Sequence, residues 1–188
     1  MKKIIAFLIC ALLIVSSVGI FSHLSMVEKL AQATIVREGE IQKDNAYREK
    51  LSQWVYERSS KISRPATRQI VDEVMRYDHP VLLLALLQAE SAFSPTAYSS
   101  SGAIGLGQIT WKIWGKPLVE AGILKEARDL YDVSMNIKAT DHIFSLLMKS
   151  SKGNTIAALE SYVGGKHKAY VEKVAHNFLQ LSMIKGSA

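Results

Sequence analysis

The carboxyl best placed for chemistry in this sequence is that of Glu90, which ends an apolar run from Val81 to Ala89. A carboxyl at the end of a buried helix loses hydration, and the negative end of the helix dipole acts in the same direction; both raise its pKa. A carboxylic acid that stays neutral at neutral pH can serve as a general acid, which glycosidic-bond cleavage requires. Taken alone, a Glu on an exposed last turn is the commoner case, capping the helix or pairing with Lys or Arg. The residues that follow alter that balance. Gly102, Gly105 and Gly107 permit close backbone approach to a ligand, and Gln108 adds an amide. Tyr98, Trp111 and Trp114 offer aromatic faces for sugar rings.

Competing chemistries fail on pattern. The Gly-rich stretch lacks the Gly-Lys-Ser/Thr of a phosphate loop, and no strand precedes it, which also removes the dinucleotide fingerprint. The only cysteine, Cys10, lies in the first apolar run, so the remaining chain has neither a disulfide nor a thiolate. His23, His79, His142, His167 and His176 lack the short pairings of a zinc site, and no metal or other cofactor is expected. The formal net charge is +6, without the basic and aromatic stripe of a nucleic-acid surface. A mildly basic domain is instead drawn to polyanionic wall material or an anionic membrane face.

The stretch from Glu90 to Ile109, with Glu90-Ser91, Pro95, Ser99, Gly102-Ala103, Gly105-Leu106 and Gln108, resembles the signature of the soluble-lytic-transglycosylase (SLT) domain. That family is related in fold to goose-type lysozyme. The match is gapless and departs at Gly107, where Met is usual. Asp132 to Ala139, with Asn136 and Ile137, resembles the family's Asp-Pro-x-x-Asn-Ile. Ser161-Tyr162-Val163-Gly164-Gly165 falls where the family has Ala-Tyr-Asn-Ala-Gly, with Val163 replacing the Asn of the active-site floor. Tyr170-Val171-Glu172-Lys173-Val174 resembles the closing Tyr-Val-x-Lys-Val, so the likeness spans roughly residues 66 to 178.

The resemblance implies an all-α, lysozyme-like domain that cleaves the β-1,4 bond between N-acetylmuramic acid and N-acetylglucosamine in peptidoglycan. Glu90 is implied as acid and then base, generating a 1,6-anhydro sugar without water. Ser91 is implied as a polar neighbour of the reacting sugar, Gln108 as a contact to the N-acetyl group, and Tyr162 as the phenol holding Glu90. Tyr98, Ser99 and Gly105 complete the substrate-binding candidates. Two alternatives stay open. One is a goose-type hydrolase, which would want a second carboxylate facing the cleft; Asp129, Asp132, Asp141 and Glu160 exist, but no motif places them there. The other, motivated by Gly107 and Val163, is a weakly active or non-catalytic wall-binding assembly factor.

The elements that must hold these groups are helices. Residues 1–21 read as a signal peptide or signal anchor: Lys2-Lys3, then an apolar run from Ile4 to Phe21 that would contact the membrane if uncleaved. The rest is then exported to the periplasm or cell envelope, where a secretion, conjugation or division complex would be the partner besides glycan strands. Residues 22–60 form a polar helical lead-in, with Gly39 as the expected interruption. Its stripe of Tyr47, Leu51, Trp54 and Val55 should pack on the following domain at 61–184. Ser63-Arg64-Pro65 and Pro80 mark helix starts, Asn154 a cap, and Asp132 a further start. Helices are expected at about 81–91, 108–114, 117–128, 134–150, 154–162 and 168–183, and no stretch alternates like a sustained strand.

Overall fold

A computed structural model describes residue 29 and residues 32–59 and 62–186. The expected targeting segment at 1–21 lies outside the described residues. The chain forms two compact units, Met1–Asn45 and Ala46–Ala188. In the first, residues 32–45 are helical through Gly39, and almost every side chain is exposed. No helix among the described residues is long and apolar enough to cross a membrane.

The second unit is an all-α domain. Helix α1 covers residues 46–58. It is followed by α2 (Arg64–Val74) and α3 (Pro80–Ser91), then by α4 (Trp111–Glu120) and a 3-10 turn at Ala127–Tyr131. Helices α5 (Val133–Ser150), α6 (Thr155–Val163) and α7 (Lys168–Gly186) complete it. The start signals act as expected. Ser63, Asp132 and Asn154 accept hydrogen bonds from the backbone N–H groups of Ala66, Met135 and Ala157, and Pro80 opens α3.

The stretch between α3 and α4 differs from expectation. Instead of helix from 108, the chain makes a two-stranded hairpin, β1 (Ala103–Ile104) against β2 (Ile109–Thr110). Gly105 and Gln108 adopt positive φ in the connection, which no helix tolerates. The two helices expected at 108–114 and 117–128 are one, with Pro117 inside it, and the 3-10 turn follows.

Helix α3 occupies the middle of the domain. Leu83, Leu84, Ala85, Leu86 and Leu87 are all buried, so the middle of the helix leaves no face for water. The stripe of α1 packs as the sequence predicts: Tyr47, Leu51, Trp54 and Val55 join the same core as α3 and Val174 and Leu181 of α7. A second cluster holds Ile104, Ile109, Leu118, Leu130 and Ile143. The loop at 103–109 is anchored in both cores, because Leu106 enters the first and Ile104 and Ile109 the second.

Candidate active site

Glu90 is the penultimate residue of α3, and the chain reverses directly after it. Ala92 caps the helix in the left-handed region and Phe93 follows at φ 61°, although neither is glycine. Such conformations cost on the order of 1–2 kcal/mol each and persist only where packing holds them. Phe93 is held by complete burial, with its ring edge-on to Trp54 of α1 at 6.0 Å between centroids. The bend carries the chain from Glu90 into the Gly-rich loop.

Helix α5 clamps that loop. Asn136, fully buried, donates from Nδ2 to the carbonyls of Leu130 (2.7 Å) and Ile104 (3.1 Å), and its Oδ1 accepts from the Gly107 N–H (2.8 Å). The glycines follow from this clamp. A Cβ on Gly105 would lie 2.3 Å from Asn136 Nδ2, and one on Gly107 would lie 2.0 Å from Thr140 Oγ1. The close approach that Gly105 and Gly107 permit is therefore to α5. The absence of a side chain at 107 is matched by Thr140, whose hydroxyl donates to the Asn136 carbonyl at 2.8 Å.

Other candidates fall into the same scaffold. Ser91 Oγ donates to the Leu106 carbonyl at 2.8 Å and accepts from the Ser94 N–H at 3.2 Å, so it ties α3 to the loop. Ser99 closes the turn before β1: its Oγ accepts from the Ala103 N–H, and its own N–H bonds the Ala103 carbonyl. Gln108 spends one amide hydrogen on the Gly105 carbonyl at 3.0 Å, while its side-chain oxygen makes no protein hydrogen bond among the described residues. Trp111 and Trp114 lean on the second core cluster. Tyr98, 66% exposed, presents its ring to solvent.

The phenol on the Glu90 carboxyl is Tyr170, where the sequence pointed to Tyr162. Tyr162 donates to the Gly107 carbonyl at 2.7 Å, and Tyr170 of α7 donates to Glu90 Oε1. Tyr162 still feels the Glu90 charge, which together with burial raises its pKa; Tyr170 is raised by burial and by Glu90 as well. Both phenols therefore stay protonated donors at any physiological pH. Burial pushes the Glu90 carboxyl up to about 7, against the Tyr170 hydrogen bond and the Lys173 ammonium, which favour its charged form.

Tyr170 and Lys173 stand in the closing motif without an assigned role in the sequence reading. Their signal was polar residues on a buried stripe: Tyr170, Val174, Asn177 and Leu181 recur at helical spacing. Asn177 donates to the Ala85 carbonyl (3.2 Å) and to Gln88 Oε1 (2.6 Å), while Lys173 Nζ donates to the Ala89 carbonyl (2.7 Å). Together with Tyr170 these bonds run up α3 and set its register against α7.

No group of side chains among the described residues could hold a metal ion. A half-buried carboxyl raised to about 7, with one phenol on it, has the make-up of a general acid. No curated protein matches the chain. A family profile described as the transglycosylase SLT domain matches residues 70–177, more than half of the chain and all of the residues just described except Trp54 and Leu181. The chain belongs to the transglycosylase SLT domain family, whose members cleave peptidoglycan.

Proposed function

We propose that this protein is a peptidoglycan lytic transglycosylase, with Glu90 as its acid and base. The observation that carries the reading is the Glu90 carboxyl itself, lifted to about 7 by burial and held by Tyr170. A carboxyl raised this far still carries, near neutral pH, the proton that must pass to the bridging oxygen as the bond between N-acetylmuramic acid and N-acetylglucosamine breaks. The carboxylate left behind then deprotonates the muramoyl 6-hydroxyl, which closes onto the anomeric carbon as a 1,6-anhydro sugar. The substrate's N-acetyl group supports the oxocarbenium-like centre, a task that most glycosidases give to a second carboxylate. Among the described residues, what acts on Glu90 is burial, Tyr170 and Lys173, with no carboxylate among them, which supports this route over activation of water.

Tyr98, Gln108 and Tyr162 are the residues we assign to the sugar chain, and Ser91, Ser99 and Gly105 to holding the loop that presents them. The chain would act outside the cytoplasm, exported by residues 1–21, on glycan strands of the envelope. A secretion, conjugation or division complex is the setting we propose. Digestion of purified sacculi tests the chemistry. Mass spectrometry should find anhydro-muropeptides, and Glu90→Gln should lose activity by roughly 10²- to 10⁴-fold. Reducing-end muropeptides would assign a hydrolase, and equal activity of variant and wild type would assign a wall-binding factor.

A further inference from the structure

The bond from Lys173 to the Ala89 carbonyl does more than fill an empty acceptor. The last carbonyls of a helix lack intrahelical partners, and the left-handed turn at Ala92 and Phe93 takes the next N–H groups elsewhere: Ala92 N–H to Gln88 and Ser94 N–H to Ser91. Ala89 is thereby left for a side chain. Lys173 meets it at 2.7 Å from α7, one helical turn beyond Tyr170, whose hydroxyl is on Glu90. A positive charge is thus fixed beside the reacting carboxyl, with its hydrogen bond directed to the backbone.

That offset has a chemical consequence. An ammonium paired directly with Glu90 would strip its proton at neutral pH and leave no acid. With no charge nearby, the carboxylate formed on proton release would be left in a poorly hydrated place. The groups facing Glu90 are Tyr170 and Lys173 from α7 and Tyr162 from α6, and both phenols are neutral. Among the described residues, Lys173 is the cation that acts on it. We propose that Lys173 is a positioning residue for the reaction: anchored on the Ala89 carbonyl, it holds the end of α3 against α7 and supplies an offset positive charge that stabilises the Glu90 carboxylate between its two proton transfers. The proposal rests on Glu90 being the acid and base.

Three substitutions in the full-length chain separate charge from anchoring. Lys173→Gln keeps a donor for Ala89 and loses the charge, Lys173→Arg keeps the charge, and Lys173→Met loses both. The Glu90 titration is followed by carboxyl carbon NMR, and the pH–rate profile is measured on sacculi. In the Gln and Met variants the Glu90 midpoint and the alkaline limb should both move up by roughly half a pH unit, a modest shift because Lys173 is exposed. The Arg variant should stay with wild type, and the gap should shrink in about 1 M salt. A Gln variant with the wild-type midpoint and limb, whether or not its melting temperature falls, would overturn the role of Lys173 and leave that of Glu90 standing. Full activity in Glu90→Gln would overturn both.

Discussion

Holding a carboxyl where water reaches it poorly makes the folded protein pay in stability for a useful proton, and at Glu90 the pH at which this happens can be named. The folded state keeps the proton up to about pH 7, while an unfolded chain releases it near 4.5. Between these values the folded form binds more protons than the unfolded form, so stability falls as pH rises through the window and stays reduced above it. Glu90→Gln, which keeps an acceptor for Tyr170 and never ionises, should be more stable than wild type by about 3 kcal/mol at pH 8. Denaturant melts at pH 8 and pH 4 check this, and the two proteins should converge at the lower pH. That Glu90 is special was legible in the sequence, because a charged residue closing a helix with no polar face conflicts with the helix around it. That Tyr170 holds it was not. The two lie 80 positions apart, and two tyrosines, 162 and 170, compete for the place until the register of α7 on α3 is known.

At the scale of elements, the loop that follows Glu90 is shaped by α5 more than by its own turn chemistry. Asn136 supplies three hydrogen bonds from one buried amide, so Asn136→Leu leaves the Leu130 and Ile104 carbonyls and the Gly107 N–H without those bonds. Each buried orphan costs about 1–3 kcal/mol. The variant should melt well below wild type and lose sugar-cleaving activity with it, as calorimetry and sacculus digestion would show. If it melts like wild type, the clamp is not what holds the loop. The helix starts were legible because each cap is a contact between residues three apart. The hairpin was not, since β1 and β2 are two residues each, too short for alternation to register, and their glycines answer to side chains some thirty positions away.

For the whole molecule, the core begins before the boundary that composition indicates. The polar lead-in runs by composition to residue 60, yet the compact unit starts at Ala46, because the stripe of Tyr47, Leu51, Trp54 and Val55 lies in the main core. A chain starting at residue 46 should melt within about 2 °C of the full chain, as the core is untouched. One starting at residue 59 forfeits the burial of Leu51, Trp54 and Val55, at about 1.5–3 kcal/mol each, and should show no cooperative melt. Thermal scans of the two settle it. The buried position of α3 has a last consequence. In many enzymes the site lies on segments that breathe independently, so that a ligand quiets one region and leaves the remainder unaltered. Here Glu90 rides on the helix whose middle, Leu83 to Leu87, is buried in the main core. A ligand that seats at Glu90 should therefore be felt by the fold as a whole, slowing hydrogen exchange throughout the core and lengthening the lifetime of the folded molecule.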